Sequence, residues 1–108
     1  MKEITAIIKP FMLAKVQEAL QCVGDFPGMT VSDCRGMSPA RVDEAPQGGA
    51  PAREYVGKVK IQLLCADEFA DHLVEIIARA AHTGNPGDGL VYVVAVGDVT
   101  RIRTFDKM

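Results

Sequence analysis

The stretch from Gly36 to Gly57, GMSPARVDEAPQGGAPAREYVG, divides this chain of 108 residues into two halves and suits neither helix nor strand. Pro39, Pro46, Pro51 and the pair Gly48-Gly49 interrupt any continuous hydrogen-bond ladder. Its only bulky apolar groups are Met37, Val42, Tyr55 and Val56, too few to offset the entropy of a rigid fold. Connections of this length inside one domain are uncommon, and those that occur are functional or disordered. The stretch reads as a mobile interaction arm.

Each half has the same order of elements. Glu3 to Lys9 alternates as a strand, with Ile4, Ala6 and Ile8 on one face, and Pro10 ends it. Leu13, Val16, Leu20 and Val23 recur at helical spacing, which predicts an amphipathic helix over 12–23 stopped by Gly24. A turn at Asp25–Gly28 leads to a weakly hydrophobic strand over 29–35. Beyond the arm, Lys58 to Ala66 alternates again, with Val59, Ile61, Leu63 and Cys65 on one side. Asp67 is placed to cap a second helix running to Ala81, with Phe69, Leu73, Ile76, Ile77 and Ala80 as its apolar stripe.

After the turn-rich run Thr83 to Gly89, Leu90 to Val96 is hydrophobic enough to read as a strand buried on both faces. A short fifth extended segment is expected over 99–104. Strand–helix–strand given twice is the signature of the α+β ferredoxin-like sandwich, βαββαβ, as a single domain over 1–108. Two helices cover one face of such a sheet. Ile7, Leu64 and alternate residues of 90–96 then leave apolar groups on the other, which predicts a homo-oligomer.

Composition excludes several classes. A formal net charge of −2 gives no footprint for nucleic acid. No apolar run approaches the roughly 20 residues that span a bilayer, and the opening MKEITAIIKPF lacks the apolar core of a signal peptide. A cytoplasmic protein without membrane insertion is the expectation. Cys22, Cys34 and Cys65 are odd in number and far apart, so they read as small buried hydrophobes rather than a disulfide framework. With His72 and His82 equally isolated, no tightly bound metal is expected.

Three features carry chemistry. The glycines of 84–89 allow backbone amides to turn inward as an anion-binding nest, although a plain strand connection needs the same residues. Arg101 and Arg103, two apart in an extended segment, would form a guanidinium fork suited to phosphate, or else a charged edge. Lys58 and Lys60 share one strand face, as phosphate contacts or as solvated partners of carboxylates. No nucleophile–base motif and no Walker lysine accompany them, so an anion-binding sensor is expected rather than an enzyme.

AIIKPF (6–11), GMTVS (28–32), KVKI (58–61), the spaced TG..GDG (83–89) and RIRT (101–104), in this order, resemble the PII signal-transduction family over nearly the whole chain. The resemblance implies a compact homotrimer with an adenine nucleotide, ADP, AMP or ATP, bound between subunits. It makes 36–57 the family's T-loop, which docks on partners, and 83–89 its B-loop. Carried over by position, Thr30 and Leu64 would line the adenine pocket and Gly36 would root the arm. Lys58, Arg101 and Arg103 would contact phosphates, and Gly87, Asp88 and Gly89 would cradle the nucleotide. The implied partner is a membrane transporter for metal efflux, bicarbonate or ammonium, or a cytosolic regulatory target.

The chain also departs from the family pattern. Met37–Arg41 lacks the glutamine that helps coordinate magnesium and 2-oxoglutarate. Leu90 stands where a phosphate-binding lysine follows GDG, and Tyr55 lies too near the arm's base to be a tip modification site. These departures mark a divergent PII-like branch, with the branch associated with metal efflux as the expectation. The competing readings are a trimeric ferredoxin-like metal-tolerance protein and a slow ATPase.

Overall fold

The computed structural model describes residues 1–37, 39 and 54–108. Strand β1 (Lys2–Ile8) ends at Lys9, and Pro10 opens a 3-10 turn, Pro10–Met12, that feeds helix α1 (Leu13–Gln21). Proline serves both purposes, since it donates no ladder hydrogen bond and its φ suits a first helical position. Strands β2 (Thr30–Gly36) and β3 (Val56–Cys65) follow, then a second 3-10 turn (Asp67–Phe69), helix α2 (Ala70–Ala81) and strand β4 (Gly89–Ala95).

All pairings are antiparallel and the sheet order is β2-β3-β1-β4, the ferredoxin-like arrangement expected from the doubled pattern. The register places Ile4, Ala6 and Ile8 opposite Leu63, Ile61 and Val59, so both central strands present their apolar sets to one face. Val16 and Leu20 of α1 and Leu73 and Ile77 of α2 complete this core, each almost fully buried. The opposite face carries no helix. Glu3 accepts hydrogen bonds there from Gln62 (2.9 Å) and Thr5 (3.3 Å), while Leu90, Tyr92 and Val94 stand beside them with about half their surface exposed.

The ends of the 36–57 stretch differ from expectation. Gly36 pairs with Val56 and Arg35 with Gly57, so strand reaches one residue into the stretch on one side and two on the other. The Arg35 guanidinium lies 5.8 Å from the Tyr55 ring, a cation–π contact just beyond the last paired rung. Ser38 and 40–53, the rest of the expected arm, lie outside the described residues.

Four further expectations are corrected. The strand over 90–96 is not buried on both faces in the single chain: β4 is a sheet edge, and only Val91 packs against the core. Helix α1 stops at Gln21 rather than 23, and it is Gly28, at φ 89°, that takes the left-handed conformation, not Gly24. Asp67 does not cap α2; its carboxylate pairs with the Met1 ammonium at 2.9 Å, which holds the acid below its usual range. Of the three cysteines only Cys65 is buried, and burial pushes its thiol up.

Ile61 sits at the centre of the core with no exposed surface. Ile61→Ala is expected to cost about 2–5 kcal/mol in a chemical denaturation curve, through lost transfer energy and the cavity left behind.

Candidate functional site

β1 and β4 lie side by side, with Ile8 paired to Gly89, so the Thr83–Asp88 turn folds back over the end of β1. Asp88 closes this turn. Its carboxylate accepts the Thr83 amide at 2.8 Å, the Gly84 amide at 2.9 Å and the Thr83 hydroxyl, and pairs with the Lys9 ammonium at 3.0 Å. Lys9 also donates to the Thr83 hydroxyl at 3.3 Å. These donors all favour the ionised acid, and they hold Asp88 well below the usual carboxylate range, the Thr83 hydroxyl foremost.

The glycines of 84–89 were expected to turn backbone amides inward around an anion; the Thr83 and Gly84 amides do so around the chain's own Asp88. Asp88 can offer a ligand its backbone but not its carboxylate. Lys9, absent from the sequence-derived site, is the cation that balances this acid. Its position at the end of the strand next to the turn is the signal that could have found it.

Gly87 and Gly89 have φ of 86° and 106°, where L side chains are strained. A Cβ on Gly89 would stand 1.8 Å from the Ile7 carbonyl oxygen, so only glycine fits this approach of turn to strand. Beside Gly87, the Lys58 ammonium reaches across from β3 and donates to the Gly87 carbonyl at 2.6 Å. A cleft of about 450 Å³ opens there. Its walls are Ile7 and Leu90 of the sheet, Gly36, Met37 and Pro39 at the arm's root, Lys58, and Gly87–Gly89. A second cleft, about 330 Å³, lies on the far side of the Lys58–Gly87 bridge against Pro10, Phe11 and Val56.

Five of the nine residues singled out in the sequence, Gly36, Lys58, Gly87, Asp88 and Gly89, thus meet in one cleft. The other four do not. Thr30 is paired with Gln62, and Leu64 is the next residue but one, at the other end of β3. Six residues of strand, about 20 Å, separate Leu64 from Lys58. Leu64 and Arg101 line a different cleft, about 440 Å³, with Phe26, Phe69 and Asp25.

Arg101 and Arg103 do not form the fork of an extended segment. The chain reverses there: Thr100 bridges to Lys107, Arg101 donates its amide to the Asp106 carbonyl at 2.8 Å, and Phe105 donates to the Arg101 carbonyl at 2.8 Å. Arg103 lies within this turn, exposed. Lys60 faces the same side as Lys58 but pairs with Ile7 and Ser32, outside the cleft. No cluster of three or more His, Cys, Asp or Glu side chains occurs among the described residues, and none of their helices is long and apolar enough to cross a membrane.

Asp88→Asn is expected to destabilise the fold at neutral pH. Because the folded carboxylate titrates below the ordinary value of about 3.9, its contribution is complete above that value and is lost as pH falls through the depressed one. The gap between wild type and variant should therefore close only in strong acid. A gap independent of pH in denaturation curves would show that the charge is not what holds the turn.

The family model described as "Nitrogen regulatory protein P-II" matches residues 1–106. A nitrogen regulatory protein P-II of Azospirillum brasilense is 42% identical over 108 residues, covering 99% of this chain and 96% of that protein. One from Rhizobium meliloti (strain 1021) is 44% identical over 105 residues, 96% and 93% of the two chains. Nitrogen regulatory protein GlnK of Escherichia coli (strain K12) is 39% identical over 105 residues, with the same coverage.

Proposed function

The chain belongs to the nitrogen regulatory protein P-II family and has a signalling, regulatory role, and we propose that it acts by binding an adenine nucleotide between two protomers of a cytoplasmic homotrimer. The observation that carries this reading is that Gly36, Lys58 and Gly87–Gly89 line one cleft while Leu64 and Arg101 line another, with Lys58 and Leu64 towards opposite ends of β3. One protomer supplies Gly36, Lys58 and the Gly87–Gly89 backbone; its neighbour supplies Thr30, Leu64, Arg101 and Arg103. Neither half alone offers both a phosphate cradle and a base pocket. The exposed row of Leu90, Tyr92 and Val94 on the helix-free face supports association, since apolar surface of this kind is costly to leave in water.

The same geometry supports coupling to the arm. Gly36 and Val56 are the last rung of the β2–β3 ladder, and Gly36 and Lys58 form the cleft wall. A phosphate that draws the Lys58 ammonium off the Gly87 carbonyl would pull on the root of the arm. Binding would then change how residues 36–57 are presented to a partner, a membrane transporter or a cytosolic target. The family model that matches is that of a regulatory protein, so in this reading the bound nucleotide is a signal.

Isothermal titration of the wild type with ADP, AMP and ATP should show binding to at least one. Lys58→Ala and Arg101→Ala should each weaken it by about tenfold or more, the scale of one lost charge-assisted contact. Co-expressing the two variants tests the shared site directly: mixed oligomers regain intact sites where an unaltered Lys58 half meets an unaltered Arg101 half, roughly a quarter of them under random assembly. Absence of any recovered sites would place both residues in one protomer's site and overturn the arrangement.

A further inference from the structure

We propose that Arg35 and Tyr55 form a clasp that holds the last two rungs of the β2–β3 ladder closed, and with them the wall shared by the two clefts beside Lys58.

Each of those rungs contains a glycine: Arg35 pairs with Gly57, and Gly36 with Val56. Neither rung therefore has a direct cross-strand pair of side chains, the contact that stabilises neighbouring strands. Glycine also leaves the backbone more freedom to lose on pairing. Each glycine instead makes room for a long side chain of the opposite strand. On the helix-free face the Lys58 stem passes Gly36, where a Cβ would stand 3.5 Å from Lys58 Cγ. On the other face a Cβ on Gly57 would meet no described atom within 4 Å. Tyr55 lies two residues before Gly57, on the same side of the chain and diagonal to Arg35. The open space beside Gly57 leaves the Arg35 guanidinium free to meet the Tyr55 ring, 5.8 Å from its centroid.

Both clefts depend on what the clasp holds. Gly36 lines each of them, and its rung partner Val56 lines the smaller. If the last rungs open, both clefts lose this wall, and the Lys58 stem loses the backbone it lies against. Tyr55 is 64% exposed, and a cation–π contact at an exposed site is weak. The clasp thus shifts a local opening equilibrium and leaves the global fold alone. Arg35 and Tyr55 line neither cleft; they are positioning residues that act through Gly36 and Val56.

Hydrogen exchange of backbone amides, followed residue by residue by NMR on the ligand-free protein, tests the clasp separately from any nucleotide binding. The ladder amides of 35–36 and 56–57 should exchange about two- to fivefold faster in Tyr55→Leu and in Arg35→Met, the scale of one exposed cation–π contact. Tyr55→Phe keeps the ring face and should exchange like the wild type. The double variant Arg35→Met with Tyr55→Leu should be no faster than either single one. Amides at the Thr5–Gln62 rung should stay unchanged throughout. Unchanged exchange at 35–36 and 56–57 in both single variants overturns the proposal, and so do effects that multiply in the double variant. Tyr55→Phe exchanging as fast as Tyr55→Leu, or ladder amides without protection in the wild type, would overturn it as well.

Discussion

The geometry of the cleft depends on one buried-edge ion pair, Lys9 with Asp88, whose side chains are 16% and 23% exposed. Asp88 gathers two amides and a hydroxyl of the turn, and Lys9 ties that assembly to the end of β1. The β1–β4 ladder brings Gly89 against Ile8, and the ion pair fixes the turn that precedes it, where Gly87 and Gly89 are among the most conformationally free residues in the chain. With the pair in place, the start of β4 is locked to the end of β1, and the Gly87 carbonyl is held where Lys58 can reach it. A motif that looks like a ready anion site is thus completed internally. The open surface of the cleft is what remains outside the clamp.

That surface is polarised along β3. At one end the strand presents Lys58 to the glycine turn; at the other it presents Leu64 to a cleft shared with Arg101. The helix-free face between them is polar at its centre, where Gln62 and Thr5 both donate to Glu3, and apolar along β4. The sheet thus carries two separate clefts and an uncovered apolar margin. In the function proposed above, association with further copies of the chain would join the clefts and cover that margin.

Much of this was legible before any coordinates. Alternation in 3–9 and 58–66, and helical spacing from Leu13 and from Phe69, are strong signals because the buried faces of those elements are continuous. The weaker readings failed for physical reasons. Leu90–Val96 looked like a central strand because hydrophobicity reports burial without saying what does the burying, and in the single chain β4 is an edge. Arg101–Thr104 looked extended because the Thr100–Lys107 bridge and the Phe105–Arg101 hydrogen bond leave no periodic trace. Asp67 looked like a cap because its competitor, the Met1 ammonium, is sixty-six positions away in sequence.

By itself, then, the sequence determined the element order, the two-fold pattern, the core faces and the residue types able to meet a phosphate. These follow from local steric and hydrophobic periodicity, which neighbouring residues carry among themselves. Only the tertiary structure decided which of those residues share a cleft. It turned Asp88 inward, recruited Lys9, bridged Lys58 to Gly87 and set Thr30, Leu64 and Arg101 at the far end of the sheet. Those outcomes depend on strand order and register, which bring together groups as distant as Lys9 and Asp88 and which no local pattern encodes.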